Sequence, residues 1–232
     1  GAPELPMGGH YRLVWSDEFN GDELDLGKWN YRYLGPRKGG ITVKDTVSLD
    51  GEGHLVLTTK RSGDEYHTAM IGTQGRYGTT YGYFEARVRL QEEIGHWSAF
   101  WLQSPTIGHP MGDPSKAGAE IDIYEYLRRE GNIVHHGLHW DGYGEDDRGI
   151  GEEAEVILSE EWNTFSLLWT EASYTFYVNG EETWQTEKAV SSRDQYIVLS
   201  LEVGPWAGDI GEAELPDQLI VDYVRVYKEV KR

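Results

Sequence analysis

Apolar and polar residues alternate over short stretches along most of the chain. Such runs fall at 11–15 (YRLVW), 54–60 (HLVLTTK), 81–90 (YGYFEARVRL), 97–103 (WSAFWLQ) and 120–126 (EIDIYEY). They recur at 132–140 (NIVHHGLHW), 165–170 (FSLLWT), 174–185 (YTFYVNGEETWQ), 196–204 (YIVLSLEVG) and 219–230 (LIVDYVRVYKEV). A period of two places alternate side chains on opposite faces of a strand, so each run predicts β-structure. Turn residues separate the runs, and Asn179–Gly180 between two of them is a two-residue hairpin signal. No long stretch shows helical periodicity. Ten such runs in one chain predict an all-β domain of two packed antiparallel sheets.

Individual runs refine this picture. In 81–90, Phe84, Ala86, Val88 and Leu90 share one face, and Tyr83, Glu85, Arg87 and Arg89 the other. That is the pattern of a half-buried strand. Glu85 and Arg87 on the polar face suit either a cross-strand pair or contact with a ligand. The run 97–103 is aromatic on both faces: Phe100 and Leu102 on one, Trp97, Ala99 and Trp101 on the other. One face suits the core, and the other suits a groove or burial beneath loops.

The run 120–126 carries the chemistry. Ile121 and Ile123 point inward, which leaves Glu120 and Asp122 side by side on the opposite face, ~6.6 Å apart along the backbone. Strict alternation would turn Glu125 inward with the isoleucines, and an unpaired buried carboxylate is costly. A β-bulge at Ile123–Tyr124 inserts one residue and returns Glu125 to the acidic face. Three carboxyls on one face repel, which raises the pKa of at least one of them. One protonated and one ionised carboxyl are what glycoside cleavage requires.

Composition sharpens the reading. With 15 Tyr and 9 Trp against 5 Phe, the amphipathic aromatics dominate, a stock suited to stacking on sugars as well as to β-structure. Asp and Glu number 40 against 21 Lys and Arg, a formal charge of −19, which disfavours nucleic acid and anionic membranes as partners. Arg32, Arg37 and Lys38 are local basic exceptions. Cysteine is absent, so no disulfide framework exists. No apolar run approaches the ~20 residues of a membrane helix. No targeting segment is present in this chain, so localisation has to be inferred from the substrate. Residues 1–9 read as a lead-in and 10–232 as a single β-sandwich domain.

The acidic run, E-I-D-I-Y-E, resembles the E-x-D-x-x-E signature of glycoside hydrolase family 16, which includes laminarinases, agarases and carrageenases. Further blocks carry the resemblance: W-S-D-E-F (15–19), L-D-L-G-K-W (24–29), Y-G-Y-F-E-A-R (81–87), W-S-A-F-W-L (97–102) and V-D-Y-V-R-V-Y (221–227). The resemblance implies a concanavalin-like jelly-roll sandwich with a substrate cleft across its concave sheet. It implies Glu120 as nucleophile, Glu125 as general acid/base and Asp122 as the residue that tunes the nucleophile. It also implies a retaining, endo-acting β-glycan hydrolase, a monomer acting on polysaccharide or oligosaccharide and secreted or periplasmic. The strong negative charge favours a neutral β-1,3- or mixed β-1,3/1,4-glucan. An endo-β-galactanase of agarase, porphyranase or carrageenase type is the alternative within the class, and a non-catalytic carbohydrate-binding protein the alternative outside it.

Trp97 and Trp101 are expected at the cleft, as are His139 and His135, which share a strand face. Tyr143, in the loop after that strand, is expected in a cleft wall, and Asn30, Tyr31 and Arg87 complete the expected sugar contacts. The histidine spacing lacks cysteine or a close acidic set, so no cofactor is expected for catalysis. A structural calcium is expected from the resemblance, held by Glu18 and Asp222 with a carbonyl near Gly53. The Gly/Pro-rich stretch 104–118 is expected to cap one end of the cleft.

Overall fold

The computed structural model describes residues 4–231. Seventeen strands follow one another: β1 (Tyr11–Asp17), β2 (Asn30–Tyr31), β3 (Gly35–Arg37), β4 (Gly40–Thr42), β5 (Val47–Leu49), β6 (Leu55–Ser62), β7 (Glu65–Gly72), β8 (Gly82–Arg89) and β9 (His96–Gln103). After a one-turn helix, Pro114–Ala117, come β10 (Glu120–Leu127), β11 (Ile133–Trp140), β12 (Arg148–Glu155), β13 (Asn163–Trp169), β14 (Tyr174–Val178), β15 (Glu181–Thr186), β16 (Tyr196–Val203) and β17 (Asp217–Glu229). All ten alternating runs form strands, and the run 174–185 folds as the β14–β15 hairpin. Its turn residues Asn179 and Gly180 both have positive φ, 50° and 81°, as a primed two-residue turn demands. The pattern missed β2–β5, β7 and β12. β12 is an exposed edge strand of glycine and glutamate (RGIGEEAE), so no buried face imposes a period on it.

Pairing divides the strands into two layers. The cleft sheet runs β12–β11–β10–β9–β16–β7–β2, antiparallel throughout. The back sheet runs β15–β14–β13–β8–β17, and the long β17 also pairs with β1 at one end and β6 at the other. The β6–β7 hairpin and a short parallel contact of β4 with β7 join the layers at one side, so the sheet curves round almost to a barrel.

The core lies between the layers. Phe100, Leu102, Ile121, Ile123, Tyr124, Leu138 and Leu199 come from the cleft sheet; Phe84, Ala86, Val88, Phe165, Leu167, Phe176 and Val224 come from the back sheet. All are essentially inaccessible to solvent. Burial of each large side chain stabilises the fold by roughly 1.5–3 kcal/mol. Tyr124 stacks on Phe165 with ring centroids 4.0 Å apart, directly beneath the acidic strand. Leu5 and Met7 of the lead-in pack on Tyr83, Tyr177 and Tyr227 behind the back sheet. Residues 1–3 and 232 of the expected lead-in and domain lie outside the described residues.

Candidate active site

The site is built on the middle of β10. Its register shifts by one residue against both neighbours: Asp122 faces Trp101 and Tyr124 faces Phe100 on β9, while Asp122 faces Gly137 and Glu125 faces His135 on β11. Ile123 and Tyr124 both enter the core, which is the signature of a bulge, and the residues beyond them change phase. Glu120, Asp122 and Glu125 therefore stand on one face, above Ile121, Ile123 and Tyr124. The Ile123 carbonyl accepts a 2.6 Å hydrogen bond from Nδ1 of buried His136. Burial holds the His136 pKa down at about 4, so its ring is neutral and sits among core groups at no ionic cost.

The three carboxyls open into a cleft of about 400 Å³ lined by side chains from several elements. Trp97, Ala99, Trp101 and Gln103 of β9 form its floor beside the acids, and Glu202 of β16 adds a fourth carboxylate. Tyr33, Arg37 and Lys38 form one wall, and Tyr143 and Asp147, with His139, form the other. Gly137 contributes no side chain opposite Asp122, where an added Cβ would lie 3.3 Å from its Oδ2. A larger groove of about 920 Å³ lies between β12 and β15, but its walls are surface glutamates such as Glu152, Glu155 and Glu181, with no aromatic residue among them. Size alone does not mark the site.

Each acid is held differently. Tyr143 Oη donates to Glu120 Oε1 at 2.7 Å and itself accepts from Gln103 Nε2 at 2.8 Å. Trp97 Nε1 donates to Glu125 Oε2 at 3.2 Å. Asp122 is buried and lies against the Glu120 carboxyl. Burial, then the charges of Glu120 and Glu125, push the Asp122 pKa well above the ordinary carboxylate range. Burial, then the charges of Glu120 and Glu202, push Glu125 up to about 8. At neutral pH Glu125 thus keeps its proton, the condition for general acid chemistry.

Several expected residues reach this cleft: Trp97, Trp101, His139 and Tyr143 line it. His135 stands at its end, hydrogen-bonded to Glu130 at 2.6 Å and edge-on to Trp206, which in turn meets Trp97. Others are elsewhere. Arg87 belongs to β8 in the back sheet, where it pairs with Asp222 at 2.7 Å and covers Trp162; alternation tells which face a residue takes but not which sheet carries the strand. Asn30 and Tyr31 pair with β7 outside the cleft, with Asn30 Nδ2 bound to the Gln74 carbonyl and Lys44 over the Tyr31 ring. Their loop enters the site a few residues later, through Tyr33, Arg37 and Lys38. The stretch 104–118 does not line the cleft. It buttresses the Tyr143 loop instead: Gly112 N donates to Asp141 Oδ1 at 2.8 Å, and Gly108, at φ 80°, lies so close that a Cβ would stand 2.8 Å from the Asp141 carbonyl.

The expected calcium ligands Glu18 and Asp222 each face an arginine. Glu18 is engaged by the Arg225 guanidinium, and Asp222 by Arg87, with His54 3.7 Å away. Each carboxylate already has its counter-charge, so this pair does not fit a calcium site that needs several free oxygens. Gln103, Asp147 and Glu202 escaped the sequence reading. Glu202 left a trace: it is the single charged residue in the apolar strand 196–203.

Comparison with known proteins bears on this geometry. The family model of Glycosyl hydrolases family 16 matches residues 38–225. The keratan-sulfate endo-1,4-β-galactosidase of Sphingobacterium multivorum is 29% identical over 94% of this chain, which spans 55% of that protein's length. A β-glucanase of Rhodothermus marinus is 29% identical over 96% of the chain and 87% of its own length. Among solved structures, the laminarinase catalytic domain of Thermotoga petrophila superposes with a TM-score of 0.81 at 26% identity, covering 96% of this chain and all of that one. The endo-β-1,3-glucanase of Pyrococcus furiosus gives 0.82 at 25% identity, covering 99% and 98%.

Proposed function

The chain belongs to glycosyl hydrolases family 16 and is a glycoside hydrolase, and we propose that it is an endo-acting β-glucan hydrolase that retains anomeric configuration. The observation that carries this reading is the bulge at Ile123, which sets Glu120 and Glu125 on one face of one strand over an aromatic cleft. Two carboxyls from one strand, electrostatically coupled, suit the ~5–5.5 Å spacing of retaining enzymes better than the wider gap of inverting ones.

In this mechanism Glu120 is the nucleophile. Its Oε1 is oriented by the Tyr143 hydroxyl, and its carboxylate attacks the anomeric carbon. Glu125, whose proton is retained to about pH 8, passes that proton to the leaving glycosidic oxygen. Trp97 holds one oxygen of Glu125, so the other is free to meet the substrate. Water then attacks the anomeric carbon from the leaving-group side, Glu125 takes its proton, and the bond from that carbon to Glu120 breaks, freeing the sugar and the Glu120 carboxylate. Asp122 lies against Glu120 and limits the negative charge beside the nucleophile. Trp97 and Trp101 offer apolar faces to the sugar.

The Rhodothermus β-glucanase and the laminarinase structures favour a β-1,3- or mixed β-1,3/1,4-glucan. A polymer of that kind is met outside the cytoplasm, which supports a secreted or periplasmic enzyme. A second reading, an endo-β-galactanase, draws on the Sphingobacterium relative and on Arg37 and Lys38 in the cleft wall, which would suit a sulfated sugar despite the overall charge. One experiment tests both: purified chain is incubated with laminarin, lichenan, agarose, porphyran and carrageenan, and the first product is followed by proton NMR. New reducing ends from laminarin or lichenan with the β-anomer appearing first are expected. Failure to cleave any of the five, or first release of the α-anomer, would sink the reading.

A further inference from the structure

We propose that Glu120, Asp122 and His139 form a binding site for a divalent transition-metal ion of the zinc or copper class, and that its occupancy reversibly shuts the cleft. The inhibitory half rests on the hydrolase reading above; the binding half does not.

The donor atoms of these three side chains all lie within 4.8 Å of one another. The histidine is aimed. Its Nδ1 lies 3.1 Å and 3.3 Å from the two oxygens of Asp147, which orients the ring with Nε2 toward the two cleft carboxyls. Nε2 stands 3.5 Å from Asp122 Oδ2 and 3.8 Å from Glu120 Oε2. Those separations exceed good hydrogen bonds. They approach the edges of a tetrahedron around one ion, which are about 3.3–3.6 Å for bonds of ~2.0–2.2 Å. A carboxylate on the far ring nitrogen is also the usual support of a metal-binding histidine.

A second observation points the same way. The Asp122 side chain is 5% exposed and aimed into this cluster. Among the described residues no N–H donates to it, and its contact is the carboxyl of Glu120. Its side-chain hydrogen bond is to Glu120, another member of the same cluster. Gly137 lies close against Asp122, so that a Cβ there would stand 3.3 Å from Oδ2. Glu125 stays outside the set, tied to Trp97. One imidazole with two carboxylates selects zinc, copper or cobalt over calcium and magnesium, which prefer all-oxygen shells. The remaining coordination position faces the cleft, open to water. An ion held there occupies Glu120, so the nucleophile is withdrawn while the metal is bound.

The test uses chelator-stripped protein, with Co2+ as a visible-absorption probe, Zn2+ calorimetry, and reducing ends from laminarin. One equivalent of Co2+ should give the d–d bands of a four- or five-coordinate site, and Zn2+ should displace it. Hydrolysis should fall in step with occupancy and return with EDTA. Asp147→Asn should weaken the metal about 10–100-fold, and His139→Gln at least as much, with circular dichroism confirming the fold. If His139→Gln does not fold, Asp147→Asn decides. No binding at millimolar metal, or affinity unchanged in the folded variants, overturns the site. Metal binding as described without cleavage of any polymer leaves the site standing and removes the hydrolase reading; cleavage without metal binding or inhibition does the reverse.

Discussion

Glu85 on the back sheet and Asp122 on the cleft sheet are both acidic residues at the centre of a strand, yet their surroundings are opposites. Glu85 accepts hydrogen bonds from Tyr83, Ser166 and Tyr223, at 3.0, 2.9 and 2.6 Å. Glu18 and Asp222 nearby are matched to arginines. Asp122 meets Glu120, with Glu125 and Glu202 close enough to raise its pKa further. The back sheet matches its acids to hydroxyls and arginines; in the cleft Glu202 has Arg37 at 2.6 Å, while Asp122 is set against the Glu120 carboxyl. Unrelieved repulsion between like charges costs stability, and proteins keep it where protons have to be moved. The contrast separates structural from chemical carboxyls without reference to any relative.

Four substitutions would break or sharpen that contrast. Glu120→Gln should lower kcat at least about 10⁴-fold with the circular dichroism spectrum unchanged, since no ester can form. Glu125→Gln should lower kcat by about 10²–10⁴-fold. The wild-type kcat/KM should fall as pH rises through about 8, where the acid loses its proton, and a pH–rate profile of Glu125→Gln should lack that limb. Stability carries the same sign. The folded-state pKa of Glu125 is raised above the usual 4.5, so stability is lost as pH climbs from that value through about 8. Thermal melting at pH 9 should therefore place Glu125→Gln above wild type, with the gap closing in acid.

The back-sheet changes should do the opposite. Glu85→Ala strands three hydroxyl groups, so urea unfolding should show a loss of about 1–3 kcal/mol with hydrolysis intact. Smallest is Arg225→Ala. It removes a half-exposed pair with Glu18 and a ring contact with Tyr223, and denaturation should register about 1 kcal/mol or less, shrinking further in salt. A large activity loss from either back-sheet change would erase the distinction between the two layers.

Legibility followed the same division. The strands were plain wherever one face is buried, as in 81–90 and 219–230, because burial imposes the period. β12 and the short strands before β6 are shaped by edges and turns, and their residues carry no such period. The acidic trio was legible because its logic is local: three carboxyls, two inward isoleucines and one surplus residue. Arg87 was misplaced because its sheet depends on where β8 pairs, with β13 and β17, both far along the chain. Lys38, Gln103, Asp147 and Glu202 reach the cleft from four separate segments, and no local pattern brings them together. The histidines showed the gap most clearly. No acidic set stands beside them in sequence, but the β10–β11 pairing lays His139 directly across from Glu120.

The surplus residue in β10 also acts as a registration mark. A uniform ladder can slide by two residues and still present the same faces. β10 cannot, because its extra residue must meet β9 and β11 at matching points while both Ile123 and Tyr124 find their places in the interior. A slipped pairing would carry the bulge away from the points on β9 and β11 that accommodate it, so the extra residue favours one alignment of the three strands.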